Sequence, residues 1–291
     1  MKWLFFKLAY LYPRIYAFFC YYRKEERRKE IEEKFDFFLK RGWRRSEKRR
    51  IVRHIFELRG SRKVMHYLIP HIDRRVINRF YEIQGLHHVD RILKEGRGVL
   101  LMAGHFGNPH LAFCAIRRMG YDLILVKSGA PKKARHEKLR YRETPEDTIF
   151  IDGSNRGGSY KGKILGILRS GKIIHYYADT REGRAKETVS FLGREMGFPT
   201  GMIHLAHQAG AAVIPCIHFY RKGKITLIFM EPLDRHWAKG TEDYRRIVSE
   251  FAELLETTIA ANPEQYMGIY GPTVLSEYYR SHRNENGPGR S

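Results

Sequence analysis

The sequence predicts an α/β fold, a mixed and largely parallel sheet flanked by helices, behind an N-terminal amphipathic or membrane helix. Three observations predict it. Short apolar runs with polar residues on both sides have the length of buried strands. Stretches with helical spacing alternate with those runs. An apolar, aromatic-rich segment, residues 3–22, leads the chain.

That segment reads WLFFKLAYLYPRIYAFFCYY and is interrupted by Lys7, Pro13 and Arg14. A centrally placed Arg is costly in hydrocarbon, so this is a poor uninterrupted span. No small-residue cleavage site follows, as a signal peptide would require. Five tyrosines and Trp3 suit a segment seated at a membrane surface, apolar bodies in the acyl boundary and polar tips in water. Residues 1–50 hold 16 Lys/Arg against 7 Asp/Glu, and such a flank favours the cytoplasmic, anionic-lipid side of a membrane. The competing reading is an ordinary core helix with a solvated basic face.

From Arg23 to about Arg50, Phe35, Phe38, Leu39 and Trp43 recur at helical spacing; Ile51, Ile55, Phe56 and Leu58 continue the rhythm. Two amphipathic helices follow from this. Beyond Ile83, strands are predicted at Gly98–Ala103, Leu123–Val126, Thr148–Ile151, Ile173–Tyr177, Ala212–Ile217 and Ile225–Met230. Helices are predicted at Leu111–Met119, Ile164–Arg169, Met202–Gln208 and Tyr244–Ala261. Without internal repeat or linker, the organisation is a membrane-associating segment (1–22), one domain (23–280) and a polar tail (281–291) expected to be disordered.

The 291 residues are 43% hydrophobic and 30% charged, which supports a sizeable core and excludes wholesale disorder. Lys and Arg outnumber Asp and Glu by 54 to 32, and a net charge of +22 selects anionic partners: nucleic acid, acidic headgroups or an acidic carrier. The arginines are spread among apolar helices with no helix-turn-helix, zinc-finger or RNP signature, so nucleic acid is the disfavoured partner. Cys20, Cys114 and Cys216 form no CxxC pair; neither a disulfide scaffold nor a metal site is expected. Gly157–Lys163 fits GxxxxGK, but Ile164 stands where a P-loop needs a hydroxyl for Mg²⁺.

The chemistry gathers at residues 99–113, VLLMAGHFGNPHLAF. A buried strand ends at Gly104, His105 follows, and Asn108-Pro109 opens a helix with a favoured N-cap and first residue. His105 thus stands at the edge where α/β sheets place their sites, with His110 in the first turn of the helix.

Residues 83–112 (IQGLHHVDRILKEGRGVLLMAGHFGNPHLA), 198–216 (FPTGMIHLAHQAGAAVIPC), Glu231-Pro232 and Asn262–Tyr266 (NPEQY) resemble, in the same order, blocks of the lipid A biosynthesis acyltransferases of late lauroyl/myristoyl type. The resemblance implies a sheet like that of the glycerolphosphate acyltransferases. It also implies acyl transfer from an acyl carrier protein or acyl-CoA thioester to a hydroxyl of an anionic lipid acceptor, without a cofactor. The place implied is the cytoplasmic face of a bacterial inner membrane. The family's His, here His105, acts as general base, oriented by a carboxylate five positions on. An imidazole titrates in the useful range, and a carboxylate behind it fixes its tautomer.

Two positions depart from the family pattern. Position 110 holds His110 in place of a carboxylate, and a D-x-D-x-G block reads Asp179-Thr180-Arg181-Glu182-Gly183. A neutral His110 could accept a hydrogen bond from His105; alternatively Asp179 or Glu182 substitutes. The outcomes open at this point are a working enzyme with a rearranged dyad, a slow one, and a dead relative that binds lipid. Arg181, Arg184 and Arg194 are candidates for gripping phosphate, since Arg binds it bidentately. Gly104, Asn108, Gly193, Thr200 and Gly201 complete the expected substrate-binding set.

Overall fold

The computed structural model describes residues 2–39, 42–128, 148–151, 159–180, 186–222, 224–233, 244–269 and 273–282. The strands are β1 (Tyr81–Gln84), β2 (Val99–Ala103), β3 (Leu123–Ser128), β4 (Thr148–Ile151), β5 (Ile173–Tyr177), β6 (Lys186–Phe191), β7 (Arg194–Pro199), β8 (Ala212–Arg221) and β9 (Lys224–Phe229). Seven form one sheet in the order β1-β9-β8-β2-β5-β3-β4, every neighbouring pair parallel except β8–β9. The helices are α1 (Lys2–Arg23), α2 (Glu25–Leu39), α3 (Arg45–Leu68), α4 (Arg74–Phe80), α5 (Leu86–Lys94), α6 (Pro109–Arg118), α7 (Ser159–Arg169), α8 (Gly201–Gln208), α9 (Tyr244–Ala261) and α10 (Val274–His282).

This is the largely parallel α/β sheet that the apolar runs announce, and all six of those runs are strands of it. β2 sits in the middle with all five residues buried, because helices cover both faces of a parallel sheet. Three strands carry no such run. β1 is a four-residue edge strand whose side chains alternate between half-buried and exposed. Among the described residues, β6 and β7 pair only with each other, as an antiparallel hairpin whose mixed polar sequence resembles a loop. Its turn, Leu192-Gly193, has φ of 53° and 69°, the two positive values that a two-residue hairpin requires.

The two N-terminal amphipathic helices are α2, which buries Ile31, Phe35 and Phe38, and α3, which buries Ile51, Val52, Ile55, Phe56 and Leu58. Each such side chain contributes about 1.5–3 kcal/mol when taken out of water. Trp43 lies in the connector rather than in either helix. α1 packs along α3 through Pro13, Ala17 and Cys20, leaving Leu11, Ile15, Phe18, Phe19 and Tyr22 exposed. No described helix is long and apolar enough to cross a membrane. α10 continues through Ser281 and His282, two positions into the stretch expected to be tail; residues 283–291 lie outside the described ones.

Candidate functional site

The site follows from strand register. β2 and β5 are parallel neighbours with Ala103 opposite Tyr177, and the pairing runs one step further as the Ala178 N–H donates to the Ala103 carbonyl at 2.9 Å. The same register sets Asp179 beside His105 at the C-terminal edge of the sheet, the edge where α/β folds carry their sites.

Asp179 is fully buried and its two oxygens are engaged. Its Oδ1 lies 2.6 Å from His105 Nδ1, while Oδ2 accepts the His105 backbone N–H at 3.0 Å and the Tyr266 hydroxyl at 2.8 Å. Burial opposes the charge of Asp179. The charge of His105 and these three hydrogen bonds overcome it and hold the carboxyl below its ordinary value. His105 stacks on Tyr177 with ring centroids 4.0 Å apart, and its side chain keeps 17% exposure. An imidazole with Nδ1 on a buried carboxylate presents its other nitrogen as a base of fixed tautomer.

A strap from the far end of the chain holds the turn. The Met267 N–H donates to the His105 carbonyl at 2.6 Å, and the Gly107 N–H donates to the Gln265 carbonyl at 2.9 Å. The side chain of Gln265 bonds both the N–H and the carbonyl of Tyr220, at 3.0 and 3.1 Å. Behind the catalytic-type pair lie two buried imidazoles, His175 of β5 and His218 of β8, both against Phe113. Burial pushes both down, His218 to about 3, so each is neutral.

The expected site residues divide. His105 and Asp179 meet. His110 is half-buried in the first turn of α6, and its charge bears on His175 and His218. Of the partners left open for His105, it is Asp179 that Nδ1 meets, since the strand register brings that carboxylate to the ring. Asn108 sits at the N-cap position of α6 but makes no side-chain cap; its amide donates to Ser61 Oγ at 3.1 Å. A Cβ on Gly104 would stand 2.6 Å from the Leu255 side chain, so that glycine answers to packing.

Gly193 turns the β6–β7 hairpin. Arg194 donates to the Phe37 carbonyl at 2.6 Å and the Leu192 carbonyl at 3.2 Å, with its guanidinium over Phe37, Phe38 and Tyr278. It fastens the hairpin to α2 and α10. Thr200 precedes α8, buried and without a side-chain cap, and Gly201 is exposed at the start of that helix. Among the described residues, none of the hydrogen bonds or ring contacts of His105 and Asp179 involves these four. Arg181, Glu182 and Arg184 lie outside the described residues, as do Gly157 and Gly158 of the GxxxxGK stretch.

Tyr266 stood in a quoted sequence block, but nothing in one sequence ties its hydroxyl to Asp179. His175 and His218 were hidden inside strand runs, where a histidine reads as one more packed residue.

Residues 9–270 match the bacterial lipid A biosynthesis acyltransferase family, and the chain belongs to it. It is an acyltransferase. Curated relatives include the phosphatidylinositol mannoside acyltransferases of two strains of Mycobacterium tuberculosis. One is 26% identical over 223 residues, 75% of this chain and 68% of the relative; the other is 25% identical over 222 residues, with the same shares.

Proposed function

We propose that the protein moves a fatty acyl group from an acyl-carrier or coenzyme A thioester to a hydroxyl of a glycosylated or phosphorylated membrane lipid, with His105 as general base. The observation that carries this is the 2.6 Å contact between His105 Nδ1 and the buried carboxylate of Asp179. The distal nitrogen takes the proton of the acceptor hydroxyl as its oxygen attacks the thioester carbonyl. The tetrahedral intermediate then collapses, and the thiol leaves with the proton that the imidazolium returns. Asp179 stabilises that imidazolium and keeps the ring oriented. The contact weighs against a dead relative, because the carboxylate missing at position 110 is supplied at 179. A glycosylated acceptor agrees with the names of the family and of the mycobacterial relatives.

The exposed face of α1 supports work at a membrane surface. Leu11, Ile15, Phe18, Phe19 and Tyr22 are each about half exposed or more, in a chain of charge +22. This suits peripheral docking on the anionic, cytoplasmic side of an inner membrane. The test is thioester consumption on vesicles carrying a phosphatidylinositol mannoside acceptor, with wild type and His105→Ala. A loss of at least a thousandfold is expected; equal rates eliminate His105 as the base.

A further inference from the structure

We propose that Arg62, on the stretch of α3 that bonds the turn carrying His105, is an anion-binding residue that takes a phosphate group of a substrate. α3 passes directly behind the site turn. Buried Ser61 receives the Asn108 side-chain amide at 3.1 Å and itself donates to the Leu58 carbonyl at 2.8 Å. Arg62 is the next residue. It is partly buried, its Nε is shielded from solvent without a hydrogen-bond partner, and among the described residues no carboxylate pairs with it. Its charge acts on Tyr177, the ring that stacks on His105, and, after burial, is the next cause holding His218 low.

A partly desolvated guanidinium without a counter-charge costs stability rather than supplying it. Arg53 of the same helix also has a shielded Nε without a partner, but its guanidinium bonds the Tyr22 hydroxyl at 3.1 Å; Arg221 is engaged on Asn262 and Glu264. An unsatisfied donor in such a place calls for a missing partner, and the flat fork of Arg matches phosphate bidentately. The proposed reaction offers that partner from two sources, the phosphate on the arm of a coenzyme A or carrier thioester and the phosphodiester of a phospholipid acceptor. The inference deepens the acyl-transfer reading and rests on it for the source of the phosphate, while the anion site itself rests on the unpartnered Nε and the Ser61–Asn108 bond beside it.

Calorimetric titration of the full-length protein with coenzyme A, dihexanoylphosphatidylinositol and neutral dihexanoylglycerol tests it, on wild type, Arg62→Gln and Arg62→Lys. One phosphate ligand is expected to bind wild type, to lose tenfold or more in affinity in Arg62→Gln, and to lose less in Arg62→Lys. The responding ligand identifies donor or acceptor. Arg62→Gln should also melt at or above the wild-type temperature, because it removes a charge that folding leaves unpaired; a structural guanidinium would lower it. The proposal falls if neither phosphate ligand binds wild type, or if Arg62→Gln binds both as tightly. It falls equally if that variant melts well below wild type and loses the neutral ligand too. Binding needs no turnover, so absent thioester consumption with Arg62-dependent phosphate binding would overturn the reaction alone.

Discussion

The hydroxyl of Tyr266 donates to Asp179 Oδ2 at 2.8 Å, which leaves Oδ1 to the imidazole of His105. Tyr266 therefore positions the carboxylate rather than touching substrate. In Tyr266→Phe the ring still packs but Asp179 loses a donor and becomes more basic, so it holds the imidazolium more strongly. We expect kcat to fall about tenfold with KM unchanged, and the acid limb of kcat/KM to move to higher pH. An unchanged limb with a lowered Tm would reduce Tyr266 to packing.

Asp179→Asn keeps the shape of the pair and removes its charge. On the scale set by the carboxylate of serine-protease triads, turnover should drop by about 10²–10⁴. The double variant with His105→Ala should be no worse than His105→Ala alone, since the two act as a unit. The stability effect has a definite sign. Asp179 is held below its ordinary value, so its contribution is complete above a pH of about 3.9 and shrinks as pH falls through the folded value. The gap in unfolding free energy between wild type and Asp179→Asn should narrow in that acid window.

His110→Glu inserts the family's carboxylate where a working partner for His105 already exists. Thioester consumption should be equal to or above wild type. A collapse would give His110 a role of its own, for which its electrostatic contact with His175 and His218 is the place to look.

His218→Leu replaces a buried imidazole whose two nitrogens lack partners, so stability at pH 7 should hold or rise. The unfolded chain protonates this histidine near pH 6.5 and the folded chain only near 3. Wild type therefore loses stability on acidification between those values, on the order of a few kcal/mol from this group. Urea unfolding at pH 7 and pH 5 should show a smaller loss in the variant.

Arg194→Ala should cost about 1–3 kcal/mol of stability through the lost carbonyl and ring contacts. KM for donor and acceptor should stay the same. A selective rise in KM without a change in Tm would return Arg194 to phosphate binding.

The fold was legible because β2, β3, β4, β5, β8 and β9 each contain an apolar run, and buried parallel strands must be apolar on both faces. β6 and β7 were not, since a hairpin that packs by one face carries Lys186, Glu187, Arg194 and Glu195 at positions that read as loop. Within the site, His105 was legible from the strand, turn and helix start around it. Its partner was visible only as an open alternative among His110, Asp179 and Glu182, because a contact across 74 residues depends on strand order and register. The contacts of Arg194 with Phe37 and Leu192 were not legible, because charge is visible in a sequence and its surroundings are not. Arg62 gave no signal at all, one arginine among many on a basic helix.

The strap from Asn262 to Met267 has a consequence for biosynthesis. The base, its carboxylate and the tyrosine come from three stretches of chain, and the tyrosine is made last. A ribosome-bound polypeptide can build the central strands and bring His105 to Asp179, yet the Tyr266 hydroxyl arrives only 87 residues after Asp179. Competence would then wait for that strap rather than for closure of the sheet, and a premature stop ahead of Asn262 would yield central strands with an unfastened turn.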